Sequence, residues 1–246
     1  MSNAKSFLGA FSSIEKWLRS ETGLDRKARF SQLVDRASDK NFSVRQFSID
    51  LKEFADLRNA IVHERTDGHI IAEPNAGAVR DIQEIESKLL APPLVIPKFR
   101  CKVEVADYSS PLATVVSRMS RRKFSQLPVV RDSQFEGVLT TNTIARWLGL
   151  HPKDGMALLN DTPVGEVLKH SEFKDNYKFV GRSATLFEVL DEFDKFERQG
   201  RLLDAVLITE HGKSTIAFLG IITLYDMPEI LRQVERKRGS RSTSDA

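Results

Sequence analysis

The chain has 246 residues, a hydrophobic share of 41%, a charged share of 29% and a formal net charge of +3. Such a length and composition suit one large folded domain or two modest ones, and a charge of +3 is too small to demand a nucleic-acid partner. A single cysteine, Cys101, excludes an internal disulfide and a thiolate metal cluster, and no apolar run reaches the roughly 18 residues of a membrane span. The chain is therefore expected to be cytoplasmic, with no membrane partner.

In chain order, the opening "SNA" has the look of a cloning remnant, and helical periodicity begins after it. "KSFLGAFSSIEKWLRSETG" places Phe7, Phe11, Ile14, Trp17 and Leu18 at helical spacing, with Gly23 as a stop. A second helix is predicted over "RKARFSQLVDRASDKN", with Phe30, Leu33, Val34 and Ala37 on one stripe. A third, capped by Ser43 or Ser48, runs through "FSIDLKEFADLRNAIVHE" with Phe47, Leu51, Phe54, Leu57 and Ile61 in period. "RTDGH" ends it, and "NAGAVRDIQEIESKLL" supplies a fourth. Residues 1–90 thus read as an all-α four-helix bundle. At residues 91–99, "APPLVIPKF", Pro92, Pro93 and Pro97 forbid a continuing helix and favour an extended linker.

Beyond the linker the chain repeats itself. The first copy, about 100–150, runs "CKVEV", "SPLATVVSRMSRRKF", "QLPVVRD", "EGVLTTNTI" and "ARWL". The second, about 162–231, runs "YKFVGRSATLFEVLDEFDKFERQG" and then "LDAVLITEHGKSTIAFLGIITLYDMPEIL", with "TPVGEVLKH" leading in. Both read as βαββα units with buried, Val- and Ile-rich strands. The fold class is therefore α+β with two domains, a helical bundle followed by a tandem βαββα pair. The last stretch, 232–246, is a basic polar tail. It is either a solvated end or a foothold on RNA or another polyanion.

Each repeat ends its second paired strand on a glycine, two apolar residues and a Thr. "GIITLYD" continues to Asp226, whereas "GVLTTNT" has Thr143 in place of the Asp. A Thr at a strand-to-helix turn, with the amides of the incoming helix, can hold a phosphate. An Asp three residues on can accept from both ribose hydroxyls. The bland alternative is that Thr223 and Asp226 merely cap the helix. On these motifs the region resembles a pair of cystathionine-β-synthase (CBS) domains, a Bateman module. The resemblance implies a regulatory, non-catalytic module binding an adenosine nucleotide (AMP, ADP or ATP). Thr223 and Asp226 would take phosphate and ribose, Val180 and Val206 the base, and Thr140 and Thr143 a weaker first site. S-adenosylmethionine or a cyclic dinucleotide is an alternative ligand. His151, His170 and His211 are scattered and expected to be exposed, and no metal site is expected from them.

"LRNAIVHE" in the third helix places Arg58, Asn59 and His63 close together in sequence. With its helical setting it resembles the HEPN domain, whose signature is an Arg followed a few residues later by a His. The resemblance implies a metal-independent ribonuclease or a non-catalytic relative. His has the pKa to move protons at a ribose hydroxyl and a leaving oxygen, Arg can brace a phosphorane, and Asn59 can hold the His tautomer or a phosphate oxygen. Arg58 and His63 are five apart, roughly 140° around a helix, so one helix alone does not aim both at one phosphate. A two-fold homodimer or a higher homo-oligomer is expected to complete the site. The alternative is structural, with Arg58 in an interface pairing Asp56 or Glu64, and the whole chain a ligand-controlled dimerisation or partner-binding module.

Overall fold

A computed structural model of the chain describes residues 2–63, 65–66, 69–70, 73–151 and 159–235. The chain divides into two compact units, Met1–Pro93 with Leu231–Ala246, and Leu94–Ile230.

The first unit is helical. Helix α1 (Asn3–Thr22) starts where the Ser2 hydroxyl accepts the Lys5 amide, and ends at Gly23, whose φ of 65° lets its amide reach the Arg19 carbonyl. The opening residues belong to the fold: Asn3 is helical and Ala4 is fully buried beside Phe7, Phe11, Ile14 and Leu18. Helix α2 (Phe30–Ser38) buries Leu33, Val34 and Ala37. The predicted third helix is Ser48–His63 in the structure, and a separate short helix precedes it. The carboxamide of Asn41, not a serine, caps the short α3 (Phe42–Gln46), accepting from the Ser43 and Val44 amides. The chain breaks at Phe47 and restarts as α4 (Ser48–His63). A two-stranded antiparallel pair follows α4, β1 (Arg65–Thr66) and β2 (His69–Ile70), and α5 (Ala76–Leu90) follows under an Asn75 cap. Phe7 meets Phe54 edge-on at 5.7 Å, tying α1 to α4 through the core.

The second unit opens with a short α6 (Val95–Lys98) in the proline-rich stretch, broken at Ile96, whose φ of −106° and ψ of 134° are extended as expected there. Its start is fixed by the Val95 amide donating to Ala184 O. Residues 101–105, expected as a strand, carry none; the strand is β3 (Ala106–Asp107). Then come α7 (Leu112–Arg122), β4 (Gln126–Arg131), β5 (Gln134–Thr140) and α8 (Thr141–Leu150). A short α9 (Val164–Leu168) leads to β6 (Tyr177–Gly181), α10 (Leu186–Arg198), β7 (Ala205–Thr209) and β8 (Gly220–Ile222). A 3-10 turn, Leu224–Asp226, joins α11 (Met227–Val234).

The two sheets repeat one topology. β3 is parallel to β4 and β4 antiparallel to β5; β6 is parallel to β7 and β7 antiparallel to β8. All five residues of β7 are buried, which is why that strand reads as an unbroken apolar run. The motif glycine serves two different needs. Gly137 has φ 153° beside a bulge in its own strand, where Val129 faces Gly137 and Val130 faces Phe135, leaving Glu136 unpaired. At Gly220 a Cβ would lie 2.0 Å from the Phe99 carbonyl oxygen, so the position is closed to any side chain.

Candidate functional site

In the second unit, β5 delivers Thr140 to the start of α8. Its hydroxyl accepts the Thr143 amide at 3.1 Å and lies 3.0 Å from the Thr143 hydroxyl, which in turn sits 3.4 Å from Ser171 Oγ. Both threonines are buried. They line a cavity of only about 30 Å³, roughly the space of one water. The second repeat closes this cavity with Glu172, Asn176 and Asp204. Arg146 pairs with Glu172, and Asn176 donates its side-chain amide to the Asp204 carboxylate. Burial pushes the Asp204 carboxyl above its ordinary value, the Asn176 bond pulls it back, and the Glu172 charge adds to the rise.

The second motif has a different internal geometry. Asp226 Oδ2 accepts from the Thr223 amide at 2.8 Å and from the Thr223 hydroxyl at 3.1 Å. Both residues are half-buried, so the carboxylate edge remains open to water. Val206 is fully buried, paired with Ile222 on β8 and Lys178 on β6. Val180 pairs with Ile208 and is half-buried. The structure thus brings Thr223 and Asp226 together, and Thr140 with Thr143, but places Val206 inside the core.

In the first unit, α4 presents Arg58 and Asn59 to a cavity of about 510 Å³. Arg58 Nη1 donates to Asn59 Oδ1 at 3.2 Å; among the described residues neither Asp56 nor any other carboxylate pairs with it. Asp56 lines the same cavity. His63 ends α4, and its side chain lies outside the described residues, as does Glu64.

The histidines are less scattered than their sequence positions suggest. His151 and His170 have ring centroids 6.3 Å apart and are half-buried, and His151 Nδ1 lies 2.9 Å from Trp147 O; His211 is exposed. Among the described residues no group of three His, Cys, Asp or Glu could hold a metal ion, and no helix is long and apolar enough to cross a membrane. Residues 236–246 of the basic tail lie outside the described residues.

Sequence reasoning missed Glu172, Asn176 and Asp204 at the first motif and Arg29 and Lys52 in the helical cavity. Glu172, Asn176, Asp204 and Arg29 come from elements distant from the motifs they join, and Lys52, on α4 itself, lies outside the Arg58–His63 motif.

Residues 98–150 match the family model for the CBS domain. Among curated proteins none matches the chain. Similar solved structures include a CBS-domain containing protein from Agrobacterium tumefaciens, with 17% identity over 55% of this chain and 88% of that one and a TM-score of 0.41. Another is an uncharacterized conserved protein from Pyrococcus horikoshii, 22% identical over 60% and 97%, with a TM-score of 0.42. A third is a CBS domain-containing protein of unknown function from Kribbella flavida, 15% identical over 55% and 95%, with a TM-score of 0.42.

Proposed function

We propose that this chain is a ligand-responsive regulator, in which a CBS pair binds an adenosine nucleotide and controls a HEPN-like helical domain that cleaves RNA without metal. The carrying observation is the doubled sheet: a matched CBS domain at 98–150 is followed by a second set of strands with the same order and sense. In this reading the second repeat is the competent site. Thr223 takes a phosphate oxygen, and Asp226 exchanges its bonds to Thr223 for the ribose hydroxyls. Thr143, lacking charge, makes the first site weaker. The nucleotide regulates by binding one assembly of two or more protomers more tightly than another, since equal affinity would shift nothing.

In the helical domain His63 moves protons between the 2′-hydroxyl and the leaving oxygen. Arg58 braces the phosphorane charge, and Asn59 orients His63 or a phosphate oxygen. A second copy supplies the other half of the constellation.

The second reading is an assembly module without cleavage. It is favoured by the Arg58–Asn59 hydrogen bond, which directs one Arg58 donor to its motif neighbour. A gel assay on mixed RNA with chelator, with and without ATP, separates the two. Wild type is expected to cut, with Arg58→Ala and His63→Ala each slower by at least about a hundredfold. Equal cutting by all three, or none by wild type in either condition, overturns the ribonuclease.

A further inference from the structure

The helical cavity has more chemistry than the Arg58–Asn59–His63 motif contributes. Its volume of about 510 Å³ falls in the range of about 300–1,000 Å³ typical of ligand sites. Three elements build it. From α1 come Phe11, Glu15 and Arg19, spaced four apart on one face; α4 adds Lys52, Asp56, Arg58 and Asn59; the entry to α2 adds Arg29 and Phe30.

Four cations (Arg19, Arg29, Lys52, Arg58) face two carboxylates (Glu15, Asp56), an excess of two positive charges. Two of the cations are engaged. Arg19 pairs with Glu15 at 2.7 Å and donates to the carbonyls of Asp25 and Ala28, bracing the wall, and Lys52 pairs with Asp35 at 2.6 Å. Arg29 and Arg58 have no carboxylate partner among the described residues. Phe30, half-buried, lines the same cavity. The buried Phe11 ring backs it at 4.4 Å, with 32° between the ring planes.

Two available guanidinium groups beside an aromatic ring suit a ligand that joins a phosphate to a planar base. A basic groove with stacking platforms is how single strands are held without sequence preference, and a duplex offers no free base face. We infer that this cavity seats one nucleotide of a single-stranded RNA, with Arg29 and Arg58 taking the phosphate and Phe30 the base. The inference rests on the RNA-cleaving reading above and names its substrate class. Arg29 and Phe30 are binding residues outside the sequence motif.

The test uses the full chain carrying His63→Ala, so that RNA is not consumed, and a fluorescein-labelled uridine-rich single strand of about ten nucleotides, long enough to span one such site. Binding is read by fluorescence anisotropy with chelator over a salt series. Arg29 is exposed, so Arg29→Ala leaves the core intact. It is expected to weaken binding about tenfold and to reduce the salt slope by about one ion. Phe30→Leu keeps apolar volume without a stacking ring, and about a tenfold loss is expected. Arg80→Ala, exposed on α5, is the control and leaves affinity unchanged. No binding by the His63→Ala parent, Arg29→Ala and Phe30→Leu behaving as the control, or displacement by uridine monophosphate at equal concentration each overturns the inference. RNA held through Arg29 and Phe30 but never cut by wild type sustains the seat and removes the ribonuclease. Undiminished cutting by Arg29→Ala and Phe30→Leu, in the His63 background, removes the seat and leaves the ribonuclease standing.

Discussion

The Asp226 carboxylate turns back on Thr223, with Oδ2 accepting from the amide at 2.8 Å and the hydroxyl at 3.1 Å. This ties the end of β8 to the start of α11. In the proposed nucleotide site, capping and ribose binding would draw on this one carboxylate.

Asp226→Ala removes the cap and the proposed ribose acceptor together. It is expected to cost about 1 kcal/mol of stability and to weaken AMP, ADP and ATP binding by about tenfold or more. Calorimetric titration checks the second figure on protein shown to be folded. Unchanged affinity for all three nucleotides would mean that Asp226 is a cap alone.

Gly220→Ala places a methyl 2.0 Å from the Phe99 carbonyl oxygen, where only backbone can yield. A loss of about 2 kcal/mol or more is expected in urea unfolding. An alanine chain as stable as wild type would show that the strand next to Phe99 can shift freely.

Thr140→Ala removes the hydroxyl that caps α8 and leaves the buried Thr143 hydroxyl with Ser171 as its nearest partner. About 1–2 kcal/mol of destabilisation is expected. Thr140→Ser retains the oxygen and should recover most of it; equal losses in the two variants would assign the cost to packing of the methyl group.

Asp204 gives a pH-dependent prediction. Burial, joined by the Glu172 charge, holds its folded pKa above the ordinary aspartate value, against the opposing bond from Asn176. Between the unfolded and folded values the native state binds more protons, so this group's contribution to stability falls as pH rises through that window. Asp204→Asn, which can still accept from Asn176, should raise the melting temperature at pH 7 by about 2 °C. The gain should shrink as pH falls toward about 4. A gain independent of pH would point to a cause other than the carboxylate charge.

Local patterns carried much of the fold. The stripe Phe7, Phe11, Ile14 and Leu18 predicted α1 and its buried face, because a 3.6-residue period is written in neighbouring residues. The apolar runs at 126–131 and 205–209 predicted paired strands for the same kind of reason. The errors arose where a contact from elsewhere decides. Residues 101–105 look like a strand but are not one, and the proline-rich stretch is tied to a distant segment where the Val95 amide donates to Ala184 O.

The sequence by itself determined the duplicated unit, the Gly-apolar-apolar-Thr turns and the proximity of Arg58 to Asn59, all of which follow from spacing along one strand or helix. Only the tertiary structure decided which groups share a site. Asp204 bonds Asn176 and lines one cavity with the first-motif threonines, and Arg29 and Phe30 at the start of α2 share a cavity with Arg58 of α4. The physical reason is range: backbone periodicity fixes neighbours within a turn or a strand. Charge pairing, burial and cavity shape depend on which distant segments the core packs together.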